Sequence, residues 1–233
     1  MDPNGPLGRA IVEELAGLGA SVYTCTLDEG EHNQCLHEWK AMGLDIHGLV
    51  CNLSLHPNRE KLIETVSAHF KGKLNILVNN VGTYIAKPTV AYTAEELSFV
   101  METNFGSAYH MCQLSHPLLK ASEVGNIVFI SSVAGVVGVA VACGTPYAAT
   151  KGAMNQITKN LACEWAKDNI QINSVSPWFI RTLAKDLIPN KILESVVARS
   201  PMRRIGEPEE VASLVACQLH HISQAKSFVL MVE

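Results

Sequence analysis

The chain has 233 residues and a mass of 25.3 kDa, which is the size of one domain with a substantial buried core. Hydrophobic residues make up 48% of it and charged residues 17%, and the mean hydropathy is +0.15, so an intrinsically disordered chain is excluded. A formal net charge of −4 without any basic cluster argues against a nucleic-acid-binding protein. We therefore expect one globular domain over residues 1–233.

The cysteines and the N-terminal residues bear on the compartment in which the protein works. Seven cysteines, an odd number with no CxxC pair, indicate buried thiols in a reducing compartment rather than a disulfide framework. The first six residues contain neither a basic segment nor an apolar core, so they do not form a signal peptide. The uncharged residues 126–149 are numerous enough for a membrane span, but glycines and Pro146 divide them into shorter elements. We expect a cytoplasmic protein without a membrane segment.

Helical and strand patterns alternate along the whole chain. Gly19 follows the first helical pattern as a stop signal, and Thr93 with Glu96 forms a capping-box pattern at the start of a long helix. The predicted helices are residues 9–18, 32–42, 59–70, 93–120, 147–167 and 207–219. Short apolar or β-branched runs predict strands at residues 21–25, 47–51, 74–78, 126–130, 170–175 and 228–232.

This alternation of helices with apolar strands is typical of a parallel sheet covered on both faces. We therefore predict an α/β fold, a Rossmann-like doubly wound parallel sheet flanked by helices. Ligands of such sheets bind at the carboxyl ends of the strands. There the sequence places Asn79-Asn-Val-Gly82, Ser131-Ser132 and Pro177.

One pair of residues has the spacing of a proton-transfer site. Tyr147 and Lys151 are four residues apart in a predicted helix, so they share one face. An ammonium group beside a phenol favours the phenolate, which suits proton transfer near neutral pH. Ser132, at the end of the preceding strand, can offer a hydroxyl to the same substrate oxygen. The spacing alone is common on exposed helices, so its meaning depends on the rest of the sequence.

The surrounding motifs give that pair its context. They are Asn79-Asn-Val-Gly82, Thr103-Asn-Phe105, Ile130-Ser-Ser132 and Tyr147-Ala-Ala-Thr-Lys-Gly-Ala153. In order and spacing they resemble the short-chain dehydrogenase/reductase family. Longer phrases, such as residues 74–80 (LNILVNN) and 161–169 (LACEWAKDN), are similar to its plant tropinone reductase-like members. The resemblance runs from about residue 8 to residue 215.

The resemblance implies a role for each matching position. Tyr147 corresponds to the family's general acid/base, and Lys151 to the lysine that activates the tyrosine and holds the nicotinamide ribose. Ser132 corresponds to the hydroxyl that orients the carbonyl, and Asn104 to the asparagine that supports the lysine through a water relay. The implied cofactor-binding residues are Gly8, Asn52, Asn80, Gly82, Lys151 and Thr182.

The implied activity is hydride transfer between NADP(H) and a small cyclic ketone or secondary alcohol, with NAD(H) as the alternative cofactor. The substrate is expected between Ser132, Tyr147 and the segment of residues 183–200. The resemblance also implies a homodimer or homotetramer assembled through the helices at residues 93–120 and 147–167. No nucleic acid and no membrane is expected as a partner.

The start of the chain departs from the family's pattern. The family opens with a central strand and a T-G-x-x-x-G-x-G turn, whose N–H groups approach the pyrophosphate. Only Gly8 matches this turn, because Asp2 and Pro6 fall at the first two glycine positions. The first strand and the glycine-rich turn are therefore expected to be missing, as in an N-terminally truncated or divergent member. The alternative function is a catalytically impaired or non-catalytic relative without a working cofactor-binding turn.

A second departure concerns the choice of nucleotide. Relatives that prefer NADP usually carry Ser-Arg after the second strand, but this chain has Thr26-Leu27 followed by Asp28 and Glu29. No guanidinium is left there to bind a 2′-phosphate.

The nine histidines raise the question of a metal site. Only His220 and His221 are adjacent, and adjacent side chains on a helix point in different directions. We expect no metal.

Overall fold

The computed structural model describes residues 5–139, 144–181, 190–219 and 227–231. Six strands form one parallel sheet in the order β2-β1-β6-β3-β4-β5. The strands are β1 (Ser21–Thr26), β2 (Ile46–Val50), β3 (Ile76–Asn79), β4 (Gly125–Ile130), β5 (Ile170–Val175) and β6 (Ser227–Met231). All six strand predictions are confirmed, with ends that differ by two residues at most.

The centre of the sheet is occupied by β6, the last strand in chain order. Tyr23 of β1 and Leu77 of β3 both lie opposite Val229, so β6 pairs in parallel with both neighbours. In the family's pattern this central place belongs to the first strand. The last strand here fills the place where the sequence predicted a missing one, and the carboxyl ends of all six strands form one continuous edge.

The helices agree with the predicted order and add one element. They are α1 (Pro6–Gly17), α2 (Glu29–Ala41), α3 (His56–His69), α4 (Ala94–Met101), α5 (Ser107–Ala121), α6 (Thr145–Trp165), α7 (Asn190–Arg199) and α8 (Pro208–Cys217). The predicted capping box of Thr93 and Glu96 begins α4. The long helix predicted from residue 93 is interrupted by a π-helical segment, Glu102–Gly106, between α4 and α5. The sequence did not predict α7.

Two apolar layers cover the two faces of the sheet, which confirms the doubly wound prediction. Ile11 and Leu15 of α1 pack with α2 and α8 on one face, and α1 and α8 are in extensive contact. Leu62 of α3, Met111 of α5 and Met154 of α6 belong to the layer on the other face. Strand residues alternate between the layers, because side chains of a strand point to opposite faces in turn. Over the described residues, no helix is long and apolar enough to cross a membrane.

Candidate active site

The predicted site residues gather at the carboxyl edge of the sheet. Asn80 follows β3, Ser132 follows β4 by one residue, and Asn52 lies shortly after β2. α1 is joined to β1 through only three residues, 18–20, and runs back across the sheet, so its N-terminus with Gly8 lies at this edge as well. The parallel order of the strands is therefore what places these residues on one side of the molecule.

Lys151 is a buried charged residue of this edge. Only 3% of it is exposed, and its Nζ donates to the backbone oxygen of Ile130 at 2.7 Å. Burial disfavours the ammonium form and lowers the pKa of Lys151 to about 8. The side chain is held at the end of β4, where a polar ligand at the sheet edge can reach it.

Tyr147 lies one turn before Lys151 on α6, as the spacing predicted. The Nζ of Lys151 is 5.5 Å from the centroid of the Tyr147 ring, so the two groups face the same space. The ring of Tyr84, in the loop after β3, packs edge-on against Tyr147 at 6.1 Å between centroids. This contact fixes the plane of a side chain that is only half-buried. The arrangement suits a phenol that exchanges a proton with a bound substrate.

Ser132 is tied to the turn that carries it. Its hydroxyl oxygen accepts from the backbone N–H of Ala134 at 3.2 Å and begins the short 3-10 helix Val133–Gly135. The neighbouring Ser131 donates its hydroxyl to the backbone oxygen of Lys151 at 3.0 Å, which joins the end of β4 to α6. The hydroxyl of Ser132 keeps its proton available for another acceptor, because it serves as an acceptor in the turn.

Asn104 lies in the π-helical segment and is fully buried. Its Nδ2 donates to the backbone oxygen of Thr83 at 2.9 Å and to the hydroxyl of Thr150 at 3.0 Å. Its Oδ1 accepts from the backbone N–H of Thr83 at 2.7 Å. Asn104 thus joins the loop after β3 to the residue that precedes Lys151. The register shift of a π-helical turn is a common feature of functional sites, and here it carries this side chain.

Two glycines allow the backbone to approach Lys151. A Cβ at Gly82 would lie 3.3 Å from the Nζ of Lys151 and 3.8 Å from the Oδ1 of Asn104. A Cβ at Gly135 would lie only 2.5 Å from the carbonyl carbon of Lys151 and 2.6 Å from the nitrogen of Gly152. The first glycine lets the loop after β3 lie close to the ammonium group, and the second lets the 3-10 helix pack directly on α6.

Asn52 lies apart from the Lys151 cluster, in the loop after β2. Its Oδ1 accepts from the backbone N–H of Ser54 at 2.9 Å and from its hydroxyl at 2.7 Å. The same loop is held by Arg59 of α3, a fully buried residue that donates to the backbone oxygens of Leu53 and Ser54. Arg59 also contacts the π-helical segment, through Glu102.

The role of Arg59 was missed in the sequence, although a signal was present. It lies on the apolar face of α3 with Leu62, Ile63 and Val66, where a charged side chain is unexpected. Thr83 and Thr150 were missed as well, since nothing local marks a threonine as a partner of Asn104. Thr182, assigned to the cofactor by resemblance, lies outside the described residues, as do Asp2 and the pair His220 and His221.

The residues present fit a nicotinamide nucleotide at this edge. Gly82 lets the loop after β3 approach a buried ammonium group, and an ammonium group can donate to a ribose hydroxyl. The N-terminus of α1 supplies the N–H groups of Leu7 and Gly8, which lack acceptors within the helix. Such N–H groups bind phosphate oxygens. The donors thus match a molecule with hydroxyl groups at one end and phosphates at the other.

The chain is similar to a known family and to several known proteins. Residues 4–229 match the family model described as enoyl-(acyl carrier protein) reductase. The chain is 58% identical over 212 residues to the tropinone reductase homolog At5g06060 of Arabidopsis thaliana, covering 90% of this chain and 80% of that protein. It is 57% identical over 211 residues to senescence-associated protein 13 of the same plant, covering 90% and 78%.

Among solved structures, the fold is similar to the crystal structure of gox2181. The TM-score is 0.89 at 26% sequence identity, and the match covers 99% of this chain and 91% of that one. The region matched by the family model contains every site residue that the structure describes.

Proposed function

Because the chain belongs to the short-chain dehydrogenase/reductase family, we propose that it is an NADP(H)-dependent oxidoreductase that interconverts a small cyclic ketone and its secondary alcohol. The observation that carries the proposal is the cluster at the carboxyl edge, where buried Lys151 faces the ring of Tyr147 at 5.5 Å. Gly82 lets the loop after β3 lie close to this ammonium group. The cluster combines a proton donor and a cation at the edge where parallel sheets bind their ligands.

Each site residue has its own role in the proposed reaction. A bound nicotinamide nucleotide supplies the hydride to the carbonyl carbon in the reductive direction. Tyr147 donates its hydroxyl proton to the carbonyl oxygen, so the ketone becomes an alcohol, and the Lys151 ammonium stabilises the phenolate that remains. The Ser132 hydroxyl donates a hydrogen bond to the same oxygen and orients it. Asn104 acts as a positioning residue, since it holds Thr83 and Thr150 on either side of the cluster.

The nucleotide is proposed to lie along the edge of the sheet. Lys151 and Gly82 border the ribose next to the nicotinamide, Asn80 lies in the same loop, and Gly8 at the N-terminus of α1 faces the pyrophosphate. Asn52, after β2, is proposed to border the adenine. We retain Thr182 as a cofactor residue by resemblance alone.

The choice of NADP(H) rests on the resemblance to tropinone reductase-like proteins, and one observation favours NAD(H) instead. Asp28 follows β1, and its Oδ1 caps α2 by accepting from the N–H of Glu31 at 2.8 Å. An acidic side chain at this point accepts hydrogen bonds from ribose hydroxyls and repels a 2′-phosphate. Arg9, the nearest cation of α1, is already paired with Glu13 and Glu38. Both nucleotides therefore belong in the test.

Oligomerisation is proposed through α4, α5 and α6, giving a homodimer or a homotetramer. Leu97, Phe99 and Tyr109 on α4 and α5 are between 42% and 49% exposed, which is unusual for such large apolar side chains in one region. A cytoplasmic location is proposed because no disulfide joins the six cysteines that the structure describes.

The proposal is tested by titrating the purified full chain with NADPH and, separately, NADH, following nicotinamide fluorescence and Tm. We expect saturable binding in the micromolar range and reduction of small cyclic ketones. Tyr147→Phe should retain binding and lose about 10²-fold or more in kcat. Tyr84→Phe is the matched control, because it removes a neighbouring hydroxyl and keeps the ring contact with Tyr147. A folded protein that binds neither nucleotide would overturn the proposal and leave the non-catalytic alternative.

A further inference from the structure

Three side chains with metal-binding atoms meet on the surface between α3 and α5. His56 and Glu60 are one helical turn apart at the start of α3, and His110 comes from α5, which packs against α3. One ligand atom from each residue lies within 4.8 Å of the other two. The rings of His56 and His110 lie against each other in a tilted arrangement, with 4.0 Å between centroids and 35° between planes. None of the three residues is assigned to the oxidoreductase site.

The separation of these atoms is close to what a metal requires. Ligand atoms bound tetrahedrally to zinc at about 2.0–2.2 Å lie about 3.3 Å apart. The cluster therefore needs to contract by no more than about 1.5 Å between any two atoms. His56 and Glu60 are exposed and can turn without disturbing the core, whereas His110 is half-buried and holds its place. The site thus has one fixed ligand and two adjustable ones.

The surroundings of His110 and Glu60 are those expected of side chains that bind a further ligand. The Nδ1 of His110 is shielded from solvent and has no hydrogen-bond partner among the residues that the structure describes. Buried ring nitrogens are usually paired, because an unpaired one costs free energy. Glu60 takes part in no ion pair within the described part of the chain. The adjacent Arg59 does not compete for it, since its guanidinium is occupied by Glu102 and backbone oxygens.

We propose that His56, Glu60 and His110 form a binding site for a divalent transition metal, with Zn²⁺ as the expected ion. Two imidazoles and one carboxylate favour zinc over magnesium or calcium, which prefer oxygen ligands alone. Three protein ligands leave a fourth position for water or another ligand. The metal joins α3 to α5, which continues directly from the π-helical segment that holds Asn104. The metal therefore crosslinks these two helices on the outer surface of the helical layer that contains α3 and α5.

The proposal is tested on the full chain, treated with a chelator and free of nucleotide, by calorimetric titration with ZnCl₂. We expect one zinc per chain and a Tm that rises with zinc concentration. His56→Asn and Glu60→Gln, both at exposed positions, should each weaken binding by about tenfold or more. His37→Asn on α2 is the matched control, because it removes an equally exposed imidazole far from the cluster in sequence and should leave binding unchanged.

Binding to thiols is distinguished by spectroscopy. Cys163 and Cys217 are exposed, and thiolates bind zinc. Co²⁺ substituted for Zn²⁺ should give only the weak visible bands of nitrogen and oxygen ligands, without the intense ultraviolet band of a cobalt–thiolate bond. The proposal is overturned if the chain binds no stoichiometric zinc, if the thiolate band appears, or if His56→Asn binds zinc as the wild type does. None of these readouts depends on oxidoreductase activity.

Discussion

The ammonium group of Lys151 donates to the backbone oxygen of Ile130 at 2.7 Å. This bond ties a residue of α6 to the end of β4, with only 3% of the lysine exposed. Its other described polar contact is with the sulfur of Met154 at 3.8 Å, which is also uncharged. A positive charge with only neutral partners in the interior costs free energy, and this cost lowers the pKa of Lys151.

We expect Lys151→Met to be more stable than the wild type at neutral pH while losing activity. At a pH well below 8 the lysine is charged in both the folded and the unfolded chain, so the full cost of burial is present. Between pH 8 and 10.5 the unfolded chain binds more protons, and the cost, about 3 kcal/mol, disappears as pH rises. Melting curves across this range should show the wild type approaching the variant. Lys159→Met, at an exposed position of α6, is the control. A difference in stability between the wild type and Lys151→Met that stays constant with pH would contradict the argument.

Gly135→Ala is expected to disturb the site, whereas Gly152→Ala is expected to be tolerated. The added Cβ at residue 135 would overlap the backbone of α6 at 2.5–2.7 Å, and backbone atoms cannot turn aside. At residue 152 the nearest atom, the oxygen of Gly135, would be 3.6 Å away, which is ordinary contact. The two variants add the same methyl group on opposite sides of one interface. Comparing their kcat and Tm measures how far the position of Lys151 depends on that interface, and equal effects would mean that it does not.

Thr150→Val is expected to lower kcat with little change in Tm. It removes the hydroxyl that accepts from Asn104, but Asn104 keeps both bonds to the backbone of Thr83. The predicted loss of stability is about 1 kcal/mol. Asn104→Ala removes all three bonds and should cost about 2–3 kcal/mol. Kinetics and thermal denaturation of both variants distinguish two effects of Asn104: the positioning of α6 and the support of the loop after β3. If Thr150→Val has the kcat of the wild type, the bond between Asn104 and Thr150 does not position α6 for catalysis.

Asp28→Asn tests the selection between the two nucleotides. The amide oxygen keeps the cap of α2, because it can still accept from the N–H of Glu31, while the negative charge is lost. We expect the ratio of NADPH to NADH affinity to rise about tenfold at low salt, which corresponds to about 1.4 kcal/mol. Glu29→Gln removes one charge from the next position and is the control. If both variants change the ratio equally, general charge rather than the position of Asp28 sets the preference.

Sequence patterns predicted the six strands and the doubly wound fold because those features depend on local periodicity. The central position of β6 could not be predicted, since an apolar strand satisfies any buried place in a parallel sheet equally well. The π-helical segment was also missed. The helical pattern of residues 93–120 continues through it, and the contacts that Asn104 and Glu102 make from this segment are tertiary.

The residues of the candidate site were indicated by the sequence, whereas a second cluster of polar residues was not. Lys151 faces the ring of Tyr147, and Asn104 is bonded to the residue that precedes Lys151; each of the three belongs to a motif of fixed spacing that the sequence shows. The cluster of His56, Glu60 and His110 was missed, because two of its members are 50 residues apart and only the packing of α3 on α5 joins them. None of its three residues are adjacent in the sequence. The signal that the sequence offered was the spacing of His56 and Glu60, which places both on one face of a helix.

Arg59 offers the sharpest test of how the loop after β2 is coupled to the π-helical segment. Its side chain is fully buried and donates to the backbone oxygens of Leu53, Ser54 and Gly106 and to the carboxylate of Glu102. Arg59→Met keeps most of the apolar stem and removes every donor. The carbonyls of Leu53, Ser54 and Gly106 then each lose a hydrogen bond, and we expect a loss of about 2–4 kcal/mol in the free energy of unfolding.

Glu102→Gln should have a smaller effect than Arg59→Met, because Glu102 is 47% exposed and the guanidinium keeps its carbonyl partners. Arg181→Met, which breaks an exposed ion pair with Glu207, is the control and should leave Tm nearly unchanged. Denaturant unfolding measures stability, and nucleotide titration measures the affinity of the proposed cofactor site. If Arg59 couples the loop to the segment, Arg59→Met weakens nucleotide binding as well as stability. An Arg59→Met protein with lowered stability and wild-type nucleotide affinity would limit the residue to a structural role.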